Sequence, residues 1–244
     1  MLSIYDLGNI LLPVISHWML WLSFLIFVVG ILFLYSYPYV RKPKKEFRRR
    51  HVSVPVAGVI SLYIFTKMLE GVIYQGAILK FDNWFNNFTY SSGMTKLALV
   101  ITNFGSIVTI TFFFILAAII LILKKRWRYA LLSTIAILGG LLLQISIKTL
   151  VHRVRPENMI ENSFSFPSGH SITAIVFVSL LIYSFKDDFK NRNVRYVLIS
   201  TASVFFISVG ISRIILHVHW FSDVIAGMSL GLSWFMLLVL IERA

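Results

Sequence analysis

Apolar residues fill this chain in long blocks separated by short polar or basic punctuation, and the blocks have the length of membrane spans. A helix needs about 20 predominantly apolar residues to cross a bilayer. That template fits seven times, at residues 17–38, 53–74, 100–123, 129–150, 169–185, 196–217 and 221–241. The fifth block is the shortest, and only a tight turn divides the sixth from the seventh. Residues 2–13 are apolar too, but Asp6, Asn9 and Pro13 interrupt them and predict an interfacial segment. Between the second and third blocks, residues 81–90 set Trp84, Phe85, Phe88 and Tyr90 among Asp82 and three asparagines. That pattern predicts an amphipathic helix at the outer membrane surface, serving as an anchor. The chain is therefore expected to be all-α, a polytopic membrane helix bundle of six to seven transmembrane helices.

Composition narrows the class further. Of 244 residues, 58% are hydrophobic and 14% charged, and the mean hydropathy is +0.82, which excludes an ordinary soluble domain. Cysteine is absent, so disulfides, thiolate nucleophiles and cysteine-ligated metals are excluded. A net charge of +13 would suit nucleic acid if it covered one soluble face. Instead the bases fall in three short runs between apolar blocks. Arg41, Lys42, Lys44, Lys45, Arg48, Arg49 and Arg50 form the first, Lys124, Lys125, Arg126 and Arg128 the second, and Lys186, Lys190, Arg192 and Arg195 the third. The positive-inside rule accounts for all three without nucleic acid, and contact of the first run with anionic headgroups is a secondary reading. With these runs cytoplasmic, the outer loops are 75–99, 151–166 and the turn around Val218. No small-residue cleavage site follows the first block, which is expected to remain in the mature protein. No repeat or separate soluble domain is visible, so the whole of 1–244 reads as one integral membrane domain. Residues 1–50 are its extra N-terminal span and basic loop, and 100–241 its core bundle.

Three polar clusters fall at the outer ends of these blocks. Lys148 lies near the end of the fourth, where an unpaired ammonium in hydrocarbon costs several kcal/mol and must reach the surface or an anion. Arg153, Arg155 and Pro156 follow, with Pro156 favouring an extended conformation at Arg155. Phe166-Pro167-Ser168-Gly169-His170 opens the fifth block. The N–H groups of a helix start attract an anion, Gly169 permits close approach to the backbone, and His170 sits in the first turn. Alone, these are also the marks of an interfacial anchor and an ordinary serine cap. The third cluster is more specific. Arg213 offers a planar fork matched to phosphate oxygens, and His219 and Asp223 lie four residues apart, on one face if the last helix begins at the turn. A carboxylate there fixes one imidazole nitrogen and leaves the other to attack phosphorus. The residues alone do not choose between His219 and His170 as nucleophile.

Lys148-x6-Arg155-Pro156, Pro167-Ser168-Gly169-His170 and Ser212-Arg213-x5-His219-x3-Asp223, in that order, resemble the type 2 phosphatidic acid phosphatase superfamily, the lipid phosphate phosphatases. The resemblance covers about the last hundred residues. It implies that His219 is the nucleophile, that Asp223 orients it, and that His170 protonates the leaving alkoxide and later activates water. Lys148, Arg155, Ser168, Gly169 and Arg213 would hold the phosphoryl oxygens, with no cofactor and no metal. Two departures stand out: the loop 157–166 is short for the family, and six spans are usual. The implied reaction is metal-independent hydrolysis of a lipid phosphate monoester or diphosphate through a phosphohistidine at the outer face. Phosphatidylglycerophosphate, phosphatidic acid and undecaprenyl diphosphate are the usual substrates of bacterial members, and a bacterial cell membrane is the implied location.

Other readings are weaker. His217, His219 and Asp223 as metal ligands would suffer the surrounding cations, and His217 would point away from His219 on a helix. His217 and His152 read as interfacial histidines. Lys67 and Glu70 predict a structural ion pair, or else the lining of a lipid access route. Gly227 and Gly231 form a G-x-x-x-G pair suited to helix packing. A transporter would spread polar residues through the depth of several spans, whereas here they gather at one face. A lipid phosphotransferase would share the first half of the reaction.

Overall fold

The computed structural model describes residues 17–41, 52–156, 163–185, 187–189 and 191–243. The interfacial segment expected at 2–13, most of the first basic run, and Lys186 and Lys190 lie outside the described residues. Of the described residues 83% are helical, and none lies in a strand. Its helices, in chain order, are α1 (His17–Arg41), α2 (Ser53–Ile73), α3 (Ile78–Asn86), α4 (Ser92–Phe104), α5 (Ile107–Leu123), α6 (Trp127–Val151), α7 (Gly169–Phe185), α8 (Arg192–Ile215) and α9 (Phe221–Arg243). Among the described residues six stretches are long and apolar enough to cross a membrane, with α4 and α5 together forming one of them, and the 17-residue α7 is a shorter apolar helix.

The expected span 100–123 is not continuous. It starts earlier, at Ser92, and breaks at Gly105-Ser106. Ser106 caps α5 by accepting from the Thr109 N–H (3.3 Å), and Thr109 returns its hydroxyl to the Asn103 carbonyl (2.8 Å), so the polar groups released by the break are satisfied locally. A side chain at Gly105 would lie 2.4 Å from Val209 Cγ1, so the break also lies in close contact with α8.

At the centre of the bundle, α7 packs against α5, α6, α8 and α9, and α9 packs along α2 and α7. Phe166, Ile172, Val176, Leu230, Phe235 and Val239 fill the core between them. The G-x-x-x-G pair does what its spacing predicts. A Cβ at Gly227 would meet the Ser168 carbonyl oxygen at 2.5 Å, and one at Gly231 would meet the Ile172 carbonyl oxygen at 3.0 Å. In a bilayer such backbone approach replaces the hydrophobic drive that water supplies elsewhere. α1 is peripheral, with most of its apolar side chains exposed to the bilayer. It docks on α2 through Glu70, which joins Lys67 (2.8 Å), His17 (2.8 Å) and the Trp21 indole N–H (3.2 Å). The expected Lys67–Glu70 ion pair is thus part of a helix-docking cluster.

The two ends of the bundle differ in kind. At one end Asp188 gathers Lys124 (3.0 Å) and Arg126 (2.6 Å), tying the α5–α6 and α7–α8 connections, and their hydrogen bonds hold the exposed Asp188 carboxyl below its usual range. At the other end lie the α6–α7 segment, the α8–α9 turn and α3. At 1.5 Å per residue, α7 is only about 26 Å long. The three polar clusters converge at its start, beside the ends of α6 and α8, and line a recess there.

Candidate active site

The recess is built around the first turn of α9. Because α9 begins at Phe221, His219 lies in the turn before it and not on the helix, unlike the shared helical face that the spacing suggested. The pair forms nonetheless, because Asp223 turns back toward its own helix start. One carboxylate oxygen, Oδ2, accepts the Trp220 N–H (3.0 Å), as the third residue of a capping box does, and also meets His219 Nδ1 at 3.2 Å. The other ring nitrogen, Nε2, faces the Arg155 guanidinium at 3.5 Å. With Nδ1–H donated to the carboxylate, Nε2 carries a lone pair aimed at the cationic side of the recess. Burial pushes the His219 imidazole down to about 4, against the upward pull of Asp223, so the ring is neutral at neutral pH.

Each of the other expected residues reaches this mouth. Lys148, one turn from the end of α6, donates to the Phe164 carbonyl at 2.6 Å. Arg155 is buried, donating to the Val218 carbonyl (2.8 Å), the Ser163 carbonyl (3.0 Å) and the Ser163 hydroxyl (2.8 Å). It thereby ties the α6–α7 segment to the His219 turn. Arg213, near the end of α8, is buried and donates to the Thr102 hydroxyl of α4 at 2.8 Å. His170 occupies the second position of α7, within the fields of Arg213, His219, Lys148 and Arg155.

The serine–glycine turn departs from expectation in two details. The Ser168 N–H is accepted by the Asp223 carbonyl (3.0 Å), so it locks α7 to α9 and leaves the N–H groups of Gly169 and His170 as the outward-facing helix start. The space beside the Gly169 Cα is taken by the Gln144 carboxamide, whose nitrogen would be 2.3 Å from an added Cβ. A side chain at Gly169 would displace the end of Gln144, a residue that no motif singled out.

Arg153 has a different setting from the other cations. Its Nη1 donates to Asp223 Oδ1 (2.7 Å) and to the Ser222 hydroxyl (2.6 Å), while Nη2 donates to Asp82 Oδ2 (2.6 Å). Asp82 comes from α3, in the segment read as an interfacial anchor. Phe81 and Trp84 on the aromatic face of that helix are each 57% exposed, whereas Asp82 is 1% exposed and turned inward. A buried carboxylate without a partner would be strongly destabilising, and Arg153 and Ser222 supply that partner. The two histidines read as interfacial end their helices in the left-handed region, at φ 51° for both His152 and His217. His217 meets Asn86 Oδ1 (3.1 Å) and the Tyr90 ring, on the side of α3.

Residues 127–244 match the PAP2 superfamily. Phosphatidylglycerophosphatase B of Bacillus subtilis is 31% identical over 189 residues, covering 73% of this chain and 91% of its own. A lipid A 1-phosphatase of Rhizobium etli is 31% identical over 135 residues, half of this chain and 53% of that protein. Among solved structures, the transmembrane PAP2-type phosphatidylglycerolphosphate phosphatase of Bacillus subtilis superposes with a TM-score of 0.65 at 25% identity, over 77% of this chain and 96% of its own. By sequence and by helical frame alike, the chain belongs to the PAP2 superfamily.

Proposed function

We propose that the protein hydrolyses the terminal phosphate of a membrane lipid at the outer face of a bacterial cell membrane, through a phosphohistidine and without a metal. The observation that carries this reading is the polarity of His219: one nitrogen is held by Asp223 and the other faces Arg155. Nε2 attacks phosphorus, the bond from phosphorus to the lipid oxygen breaks, and protonated His170 gives its proton to the departing alkoxide. Asp223 stabilises the cationic phosphoimidazole. Water then attacks the same phosphorus, passing a proton to His170, and the P–N bond breaks to release phosphate and neutral His219. Lys148, Arg155, Arg213 and the start of α7 share the charge of the equatorial oxygens throughout. Three cations around the recess supply the charge neutralisation a divalent ion would bring and would repel such an ion.

The relatives are named for phosphatidylglycerophosphate and for the 1-phosphate of lipid A. Their common chemistry is a phosphate monoester on a lipid headgroup, the substrate class assigned here. The outward orientation is the reading that the positive-inside rule gives to the basic runs of the sequence, and Lys124 and Arg126 of the second run, paired with Asp188, support it.

The test is release of inorganic phosphate by the purified protein from a panel of lipid phosphates in mixed micelles with chelator present. Turnover that persists with chelator and vanishes in His219→Ala supports the reading. Strong inhibition by chelator refutes the metal-free mechanism, retained activity in His219→Ala refutes the nucleophile, and labelled phosphate appearing on a second lipid instead of in solution makes the protein a phosphotransferase.

A further inference from the structure

Asp82 stands outside the three motifs and outside the residues that match the superfamily, yet it touches two residues at the heart of the recess. Its Oδ1 accepts the Ser222 N–H (2.8 Å), and its Oδ2 accepts both the Ser222 hydroxyl (2.6 Å) and Arg153 Nη2 (2.6 Å). Ser222 is the second residue of α9, where a helix N–H has no partner in its own ladder. α3 therefore caps α9 from outside, at the turn that carries His219.

We infer that Asp82 is a positioning residue for the phosphoryl-transfer reaction, holding Arg153 between two carboxylates so that Asp223 keeps both its place and its negative charge for His219. The inference rests on the His219–Asp223 reading above and extends the reacting assembly to the interfacial helix α3. Arg153 alone against Asp223 would form a closed ion pair, and a carboxylate so neutralised stabilises an adjacent imidazolium poorly. With Asp82 on its other fork, the guanidinium is shared, and the triad Asp82–Arg153–Asp223 carries a net negative charge. Geometry gains as well. A guanidinium gripped on both edges cannot rotate, and through Asp223 Oδ1 it fixes the carboxylate plane that meets His219 on Oδ2. The ring stack of Phe85 on Phe221 (4.6 Å, 8° between planes) seats α3 against the same turn without any charge.

That apolar contact separates a positioning role from a merely structural one. The test compares Asp82→Asn with Phe85→Ala in full-length purified protein, measuring kcat, KM, thermal unfolding and the pH profile of kcat/KM. Asp82→Asn keeps the shape and removes one negative charge. The groups facing His219 are then Asp223 from α9, Arg153 and Arg155 from the α6–α7 segment, Lys148 from α6, Arg213 from α8 and His170 from α7, and the balance becomes more positive. The expected result is a fall in kcat of roughly 10- to 100-fold, the scale for groups that orient a reacting residue, with KM little changed and the acid limb moved to lower pH. Phe85→Ala is expected to lower the unfolding temperature and leave the acid limb in place. Wild-type kcat and acid limb in folded Asp82→Asn, or matching losses in both variants with the limb unmoved, overturns the inference. Loss of turnover in His219→Ala is scored separately, so an innocent Asp82 would leave the phosphatase reading standing.

Discussion

Replacing Gly227 with alanine tests whether the close seating of α9 on the start of α7 sets the reaction geometry. The added Cβ would lie 2.5 Å from the Ser168 carbonyl oxygen and 2.9 Å from Ser171 Cβ. Neither neighbour is the loose end of a flexible side chain, so the start of α7 must withdraw from α9 by about 0.9 Å to restore ordinary contact at 3.4 Å. Overpacking of this kind costs roughly 1–3 kcal/mol, partly offset by up to about 1 kcal/mol of improved helix propensity, so the protein is expected to fold with a lowered unfolding temperature. The larger effect falls on catalysis. Gly227 lies one helical turn past Asp223, and the Asp223 carbonyl accepts the Ser168 N–H at 3.0 Å. A shift of this size parts the Gly169–His170 helix start from His219, and misplacement near 1 Å lowers rate on the order of 100-fold. The assay is phosphate release by purified Gly227→Ala, with unfolding measured on the same sample. Gly30→Ala is the control, because an added Cβ there meets nothing within 4 Å. Wild-type kcat in folded Gly227→Ala would refute the claim that this junction aligns the site.

Three further outcomes are expected. The folded pKa of His219, about 4, lies below the 6.5 of an unfolded histidine, so the unfolded chain binds the extra proton between those values; stability falls as pH falls through that window, the neutral nucleophile is lost only as pH passes through about 4, and kcat/KM of the free enzyme should show an acid limb well below 6.5. Thr102→Val removes the oxygen that Arg213 Nη1 donates to, a hydrogen bond to a charged group worth about 1.5–3 kcal/mol, and should weaken product inhibition by inorganic phosphate about tenfold or more while leaving the protein folded. Glu70→Ala unties Lys67, His17 and Trp21 together and should lower the unfolding temperature with kcat unchanged, since among the described residues no hydrogen bond or ion pair joins α1 to His170, His219 or Asp223; a fall in kcat would show that α1 reaches the reaction.

The sequence was most legible where the bilayer or the chemistry constrains it directly. Span length follows from membrane thickness, so the blocks at 53–74, 129–150 and 221–241 agree with α2, α6 and α9 to within a few residues. The three motifs converge because each lies at a block end on the same side. The break at Gly105-Ser106 was hidden, since the residues on both sides are apolar and the serine that caps α5 reads like any small residue in a span. Asp82 and Thr102 were missed for another reason. Their partners are 71 and 111 positions away, and nothing local in the sequence records that Asp82 meets Arg153 or Thr102 meets Arg213. Asp82 did leave one trace, as the lone acid in an aromatic interfacial segment, where a charge facing lipid would have no purpose.

Charge distribution within the recess explains why its four cations do not share one duty. Arg153 is committed to two carboxylates, Asp82 and Asp223, at 2.6 and 2.7 Å, and a phosphate approaching it would have to displace an anion already held in a geometry at least as good. Lys148, Arg155 and Arg213 each donate to neutral oxygens among their contacts: the carbonyls of Phe164, Ser163 and Val218 and the hydroxyls of Ser163 and Thr102. A neutral acceptor keeps a long cationic side chain oriented, yet a phosphate dianion competes with it favourably. Arg155 shows the consequence most clearly, because the same guanidinium that grips the Val218 carbonyl faces His219 Nε2. Phosphate drawn to it arrives in front of the attacking nitrogen. Arg153, behind the nucleophile, keeps Asp223 in place while the cations in front exchange one set of oxygens for another.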